Sequence, residues 1–276
     1  MRQTRKNTWT VSVGIGSVIT LLFLALTVAP TSSQTAYRAP RAAGTSRPDL
    51  NGIWQAVNTA NWDIQAHSAK AGPLFQLGAV FAVPPGASIV EGNDIPYKPE
   101  ALARKRENAA NWLTLDPEVK CYLPGVPRAT YQGYPFQIVQ TPKQLLIAYQ
   151  FANASRIVYM DPKTESAPID FWMGWSRGRW EGETLVIDVT GLNDQTWFDR
   201  AGNYHSDKLH VVERYTRVAA NQLNYEATIE DPEVFTRPWK ISMPLYRRVE
   251  PNAQLLEFKC VEFAERLIYD SLSKKD

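Results

Sequence analysis

From about residue 135 onward, apolar and polar positions alternate in short runs rich in β-branched and aromatic side chains, and a turn signal closes each run. A period of two sends successive side chains to opposite faces of an extended chain, so these runs predict half-buried strands. They cover residues 136–140, 144–151, 156–160, 174–180, 184–190, 210–218, 223–230, 239–247 and 255–262. Between them stand turn formers such as Thr141-Pro142-Lys143, Asp161-Pro162, Glu181-Gly182-Glu183, Asp231-Pro232 and Pro251-Asn252. Strands at this spacing with short connections predict a mostly β fold built as an antiparallel up-and-down meander. A sheet this long tends to curl closed, because closure removes exposed edges, so a barrel or half-barrel is expected. A flat sandwich is the alternative that periodicity alone does not separate.

The first half of the chain follows another pattern. Residues 99–113 (PEALARKRENAANWL) have proline in the first turn, many alanines, and Leu102, Ala109, Trp112 and Leu113 placed to form a stripe, which predicts a helix stopped by Asp116-Pro117. Residues 58–94 are broken by Gly72-Pro73, Pro84-Pro85-Gly86 and Gly92-Asn93-Asp94 and read as loops with room for one short helix. At the far end, residues 263–272 alternate apolar pairs with charges at helical spacing and predict a short terminal helix.

Before all of this comes a basic head, Arg2, Arg5 and Lys6, followed by an apolar run over residues 11–29 and then small residues near Ala29 and Ala36. That order is the charge and hydropathy signature of a secretory signal, so residues 1–36 are expected to be removed, residues 37–48 to form a flexible leader, and residues 49–276 to form a single β-rich domain that is periplasmic or secreted. A retained single-span anchor is the rival reading; Ser12, Gly14, Gly16, Ser17 and Thr20 dilute the run. No membrane anchor remains after cleavage.

Export changes the electrostatics and the redox chemistry. The chain carries a formal charge of +2; loss of its first 36 residues removes three basic side chains and no acid, leaving a value near −1. A nucleic-acid role then has no electrostatic basis. Cys121 and Cys260 are the only two cysteines, and in an oxidising compartment an even count reads most simply as one disulfide.

Gly52-Ile53-Trp54, ahead of an antiparallel meander, resembles the Gly-x-Trp entry of lipocalins and related calycins, which implies a barrel whose tryptophan closes the base. Three longer stretches carry a second resemblance: Asp116-Pro117-Glu118-Val119-Lys120-Cys121 continuing to Pro124-Gly125-Val126-Pro127-Arg128, then Trp180-Glu181-Gly182-Glu183-Thr184-Leu185-Val186-Ile187-Asp188, then His205-Ser206-Asp207 continuing to His210-Val211-Val212-Glu213-Arg214-Tyr215. They are similar to a widespread set of uncharacterised exported bacterial proteins, a likeness that implies export and a single domain and assigns no chemistry.

Two constellations could carry function. His205, Asp207, His210 and Glu213 crowd beside the Ala201-Gly202-Asn203 turn and hold two of the three histidines. An imidazole fixed by a carboxylate would serve general acid/base chemistry in a lyase, isomerase or hydrolase. The competing readings are mutual satisfaction at a barrel rim, a metal site whose spacing matches no zinc pattern, and a Ser206 nucleophile lacking a Gly-x-Ser-x-Gly elbow. The second constellation is aromatic, Trp54, Trp172, Trp175, Trp180, Trp197, Trp239, Tyr131, Tyr134 and Tyr246; of these Trp54, Trp175, Trp197, Trp239 and Tyr134, with Asp199, could line a cavity for a small hydrophobic or aromatic ligand, although most such rings serve core packing. No cofactor is implied. A ligand-binding barrel and an acid/base enzyme both stay open, with a structural envelope domain third.

Overall fold

The computed structural model describes residues 37–273; the expected signal segment and its cleavage region lie outside the described residues. Among those residues, strands β1 (Gly52–Ala56), β2 (Phe136–Gln140), β3 (Gln144–Tyr149), β4 (Ser155–Tyr159), β5 (Trp175–Glu181), β6 (Thr184–Thr190), β7 (His210–Ala219), β8 (Gln222–Glu230) and β9 (Trp239–Arg247) pair in sequence order and close into a barrel. Burial alternates along β7, β8 and β9; in β9, Trp239, Ile241, Met243 and Leu245 are buried while Lys240, Ser242 and Pro244 are exposed. The interior is filled by large side chains, among them Trp54, Phe136, Ile147, Tyr215 and Tyr225, none more than 1% exposed. Turn chemistry sets the register: Gly182, at φ +59, is the first central residue of the two-residue β5–β6 turn, as a type II′ hairpin requires.

A ring of nine strands cannot alternate direction all the way round, so one neighbouring pair must run parallel. That pair is β4 and β5, joined by residues 160–174. Parallel neighbours need a crossover rather than a tight turn, and this connection supplies it. The meander expected from the sequence is therefore antiparallel everywhere except at this join.

The strand expected at 255–262 does not form. β1 occupies its place, pairing with both β2 and β9 and closing the ring, so the edge of β9 that a later strand would need is taken at Leu245–Arg247. Farther along that edge Val90 bridges to Ile241. Residues 255–262 instead lie as an irregular strap in which Phe258 packs on Tyr134 and Phe151 (ring centroids 5.2 and 4.9 Å). Cys260 in this strap is joined to Cys121, with the two Cα atoms 5.7 Å apart. Closing a loop of 139 residues stabilises by about 5 kcal/mol in the chain-entropy picture.

Between β1 and β2 lie helices α1 (Pro99–Ala110) and α2 (Trp112–Leu115), and α3 (Ala264–Ser273) ends the described chain. The buried positions of α1 are Ala101 and Asn108 rather than the expected stripe. Gly202 lies so close to the α1 backbone at Ala109 that a side chain there would collide, which fixes the helix against the loop before β7. Arg128 binds Asp116 through two bonds (2.7 and 2.9 Å) and Glu118 at 2.7 Å, while Arg200 reaches Glu118 at 2.8 Å and Glu265 of α3 at 3.0 Å. These charges tie the insertion, the loop before β7 and the terminal helix together. Part of the expected flexible leader is also held, with Ala39 and Ala42 buried and Arg41 paired to Glu183 at 2.8 Å. Among the described residues no helix is long and apolar enough to cross a membrane.

Candidate functional site

Period-two alternation puts three charged side chains on inward positions, Arg156, Glu213 and Arg217; Arg217 is taken up by the Asp49 and Ala220 carbonyls. Arg156 precedes Val158 on the inward face of β4, and Glu213 stands between Val211 and Tyr215 on the inward face of β7. Across the interior they form a two-armed ion pair, with Arg156 Nη1 donating to Glu213 Oε2 at 2.6 Å and Nη2 to Oε1 at 2.9 Å. Tyr215 and Tyr225 hydroxyls donate to Glu213 Oε1 at 3.0 and 2.9 Å. Arg156 Nε donates to the Tyr149 hydroxyl, and Nη1 also to Ser176 Oγ at 3.2 Å. Ala227, directly opposite Glu213 on β8, leaves room for the cluster. Burial works against the guanidinium charge, yet Glu213 and the adjacent tyrosines outweigh it and hold Arg156 protonated well above its ordinary range. Burial, reinforced by the Glu213 charge, likewise keeps Tyr215 and Tyr225 neutral.

The parallel join lies beside this cluster. Its ladder covers only Val158↔Ser176 and Tyr159↔Arg177, so β4 and β5 part below that point. In the gap is a cavity of about 360 Å³ whose wall includes Arg156, Ser176, Tyr159, Phe171, Trp172 and Trp175. Trp175 stacks with Tyr159 (4.8 Å, 28°) and Phe171 (5.6 Å, 24°), and its indole N–H is fixed by the Glu165 carbonyl. Trp172 packs on Tyr122 at 4.9 Å. Gly174, at φ +65, turns the rim so closely onto β6 that a Cβ there would lie 2.6 Å from Val189. A mostly apolar, aromatic concavity over a few fixed polar groups has the make-up of a small-molecule site. A larger cleft of about 520 Å³ between Trp62, Trp112, Lys70, Lys105 and Arg200 is less suited, because Arg200 is bound to Glu118 and Glu265 and lies over both tryptophans at 4.3 and 4.9 Å.

No family model, no curated protein and no solved structure matches the chain. Its chemistry is read from its own geometry.

The histidine cluster does not converge. His205 is 1% exposed; Nδ1 faces the Ser206 carbonyl, which can only accept, so Nδ1 carries the proton and Nε2 accepts from Thr196 Oγ at 2.6 Å. Burial depresses its pKa, consistent with a neutral ring whose nitrogens are both occupied. Thr196 is covered by the Gly125 backbone, so this hydroxyl and imidazole pair has no approach for a substrate. Asp207 points to solvent and pairs with Lys208. His210 is on the outer face of β7 between Asp188 (3.1 Å) and Glu230 (3.2 Å), whose hydrogen bonds raise its pKa. Glu213 is inside the barrel. Ser206 accepts from Lys208 N and donates to Asp231, as a turn residue would.

The aromatic candidates divide similarly. Trp54 is fully buried, its N–H bound to the Leu50 carbonyl. Trp197 and Trp239 are core residues, Trp239 meeting Phe198 and Phe235 edge to face. Tyr134 holds the 255–262 strap. Asp199 is a buried hub that accepts from Ile64 N, Asn203 N and Asn203 Nδ2; burial, with Asp63 nearby, pushes it up to about 7. Of the six, Trp175 alone lines the β4/β5 cavity. Trp172, a further member of the aromatic constellation, lines it too, whereas Arg156, Ser176 and Phe171 were missed as site residues. The signal available was a charge on the inward register of two strands, Arg156 and Glu213, each requiring the other.

Proposed function

We propose that this chain is an exported barrel protein that binds a small hydrophobic or aromatic molecule in the gap between β4 and β5. The observation that carries the reading is the 360 Å³ aromatic-walled cavity opened by the parallel join beside the Arg156–Glu213 pair. Export is supported by the basic head and apolar run of the first residues and is compatible with the Cys121–Cys260 bond. The barrel lumen is not the binding place in this reading, since large side chains fill it. Nor does the reading use His205, Asp207 and His210, which lie in three separate surroundings. The test is to express the chain with its leader, release the periplasmic fraction, and survey retained small molecules by native mass spectrometry, alongside a Trp175→Ala variant. A bound apolar molecule lost from the variant supports the proposal; a retained molecule unaffected by Trp175→Ala places binding elsewhere.

A further inference from the structure

We infer that the β4/β5 cavity selects an uncharged aromatic molecule bearing a hydrogen-bond acceptor, of the aryl ketone, aldehyde or ester class, with the acceptor docked on the Ser176 hydroxyl. This rests on the cavity being the binding site.

The polar floor dictates the charge. Arg156 is the cation nearest an incoming anion, but its N–H groups are committed to Tyr149, Ser176, Tyr215 and the two oxygens of Glu213. An anionic ligand would have to displace Glu213, leaving a buried carboxylate without its partner, or else lose its own hydration against a pair that is already neutral. A cation gains no more from Glu213, whose Oε1 already accepts from Arg156, Tyr215 and Tyr225. The stacking of Trp175 with Tyr159 and Phe171 also turns ring faces that a cation would use toward other rings.

Ser176 is the exception in this floor. A serine hydroxyl has one proton to donate and two lone pairs. Ser176 Oγ accepts from Arg156 Nη1, and among the described residues nothing accepts its proton. Ser176 borders the cavity, its oxygen is anchored by Arg156 Nη1, and at 1% exposure bulk water does not satisfy its proton. A ligand oxygen there satisfies a buried donor, while a purely apolar ligand leaves it unmet. The volume, about 360 Å³, is at the small end of ligand sites and suits one ring or two fused rings.

The experiment titrates the mature protein at neutral pH, by tryptophan fluorescence and calorimetry, with four probes of similar size: acetophenone, ethylbenzene, benzoate and benzyltrimethylammonium. Acetophenone is expected to bind about fivefold to tenfold more tightly than ethylbenzene, the worth of one neutral hydrogen bond, and at least tenfold more tightly than either ion. Ser176→Ala should bring acetophenone down to the ethylbenzene level and leave ethylbenzene unchanged, while Trp175→Ala weakens both. Equal binding of acetophenone and ethylbenzene to the native protein, tighter binding of benzoate or the ammonium, or an acetophenone preference that survives Ser176→Ala would each overturn the inference while leaving the site standing, provided Trp175→Ala abolishes binding. Absence of binding by every probe, or binding indifferent to Trp175→Ala, would remove the site and the inference together. Should Ser176→Ala fail to fold, Ser176→Cys keeps the volume with a weaker donor and should give an intermediate preference; the native ketone to hydrocarbon ratio stands independently of either variant.

Discussion

Along β7 and β8 the ladder runs from His210 opposite Glu230 to Ala219 opposite Gln222, with one shift near Arg217, and every inward side chain meets another across the hairpin. Between β4 and β5 it covers two residue pairs and then opens. Both regions obey the same alternation of side chains. They differ in connection: a tight turn holds β7 to β8 from the first residue, whereas β4 and β5 are brought together by a crossover and by the need to close an odd ring. A closed barrel thus gains a lateral opening without an exposed edge strand, and the opening falls where an inward charge pair lies behind it.

The largest test of the comparison targets the pair that both regions share. Glu213→Ala is expected to destabilise by about 3–5 kcal/mol, because it leaves the Arg156 guanidinium buried and unpaired; denaturant unfolding measures it, and an Arg156→Met, Glu213→Leu double variant should recover much of the loss. If the single variant costs under about 1 kcal/mol, water reaches Arg156 through the gap and the two regions are not sealed from one another.

Asp199 probes a third surrounding, the loop before β7 that the insertion covers. Its folded pKa of about 7 is above the unfolded value, so between about pH 4 and 7 the native state holds a proton that the unfolded chain releases. Stability therefore falls as pH rises through that window, by about 4 kcal/mol for a shift of this size. Asp199→Asn should flatten the decline in chemical denaturation series run from pH 4 to 8; an unchanged slope would assign the decline to other groups.

On the sealed wall, Ile229→Ala removes a fully buried side chain and should cost about 2–5 kcal/mol. At the opening, Trp175→Ala removes a ring that stacks at the rim, and about 1 kcal/mol is expected. Similar losses at the two positions would mean that the rim is as much a part of the core as the wall, and the contrast between the regions would fail.

The smallest effect belongs to the outer face. His210 has a raised pKa owing to its Asp188 hydrogen bond first and Glu230 second, so its contribution is complete below the unfolded value near 6.5 and is lost as pH rises through the folded value. Being half-buried, it is worth a few tenths of a kcal/mol to about 1. His210→Gln should abolish that weak dependence in thermal melts between pH 6 and 8 and leave ligand binding unaltered.

The histidine-rich stretch illustrates why site reading from the chain was partial. His205, Asp207, His210 and Glu213 are neighbours in sequence, but an irregular loop carries the first two and a strand the others, so His210 faces outward and Glu213 inward. Closeness along the chain measured density, not convergence. Arg156 lies 57 residues from Glu213, and only the register of the intervening strands makes them partners. Trp175 was legible as one aromatic among many; what marked it out was the parting of β4 from β5.

By itself the sequence determined most local features: strand positions from period-two alternation except at 255–262, a helix beginning at Pro99 from its proline start and alanine content, although it breaks at Asn111 into α1 and α2, and the mostly β character that follows. These depend on side chains a few residues apart and on backbone preferences that hold wherever the segment is placed. Tertiary structure alone decided that Gly52–Ala56 closes the ring in place of residues 255–262, that β4 and β5 run parallel, and that Arg156 meets Glu213 beside an aromatic gap. Each of these is settled by competition among distant segments for the same edge or the same interior volume, and a linear pattern does not record who wins it.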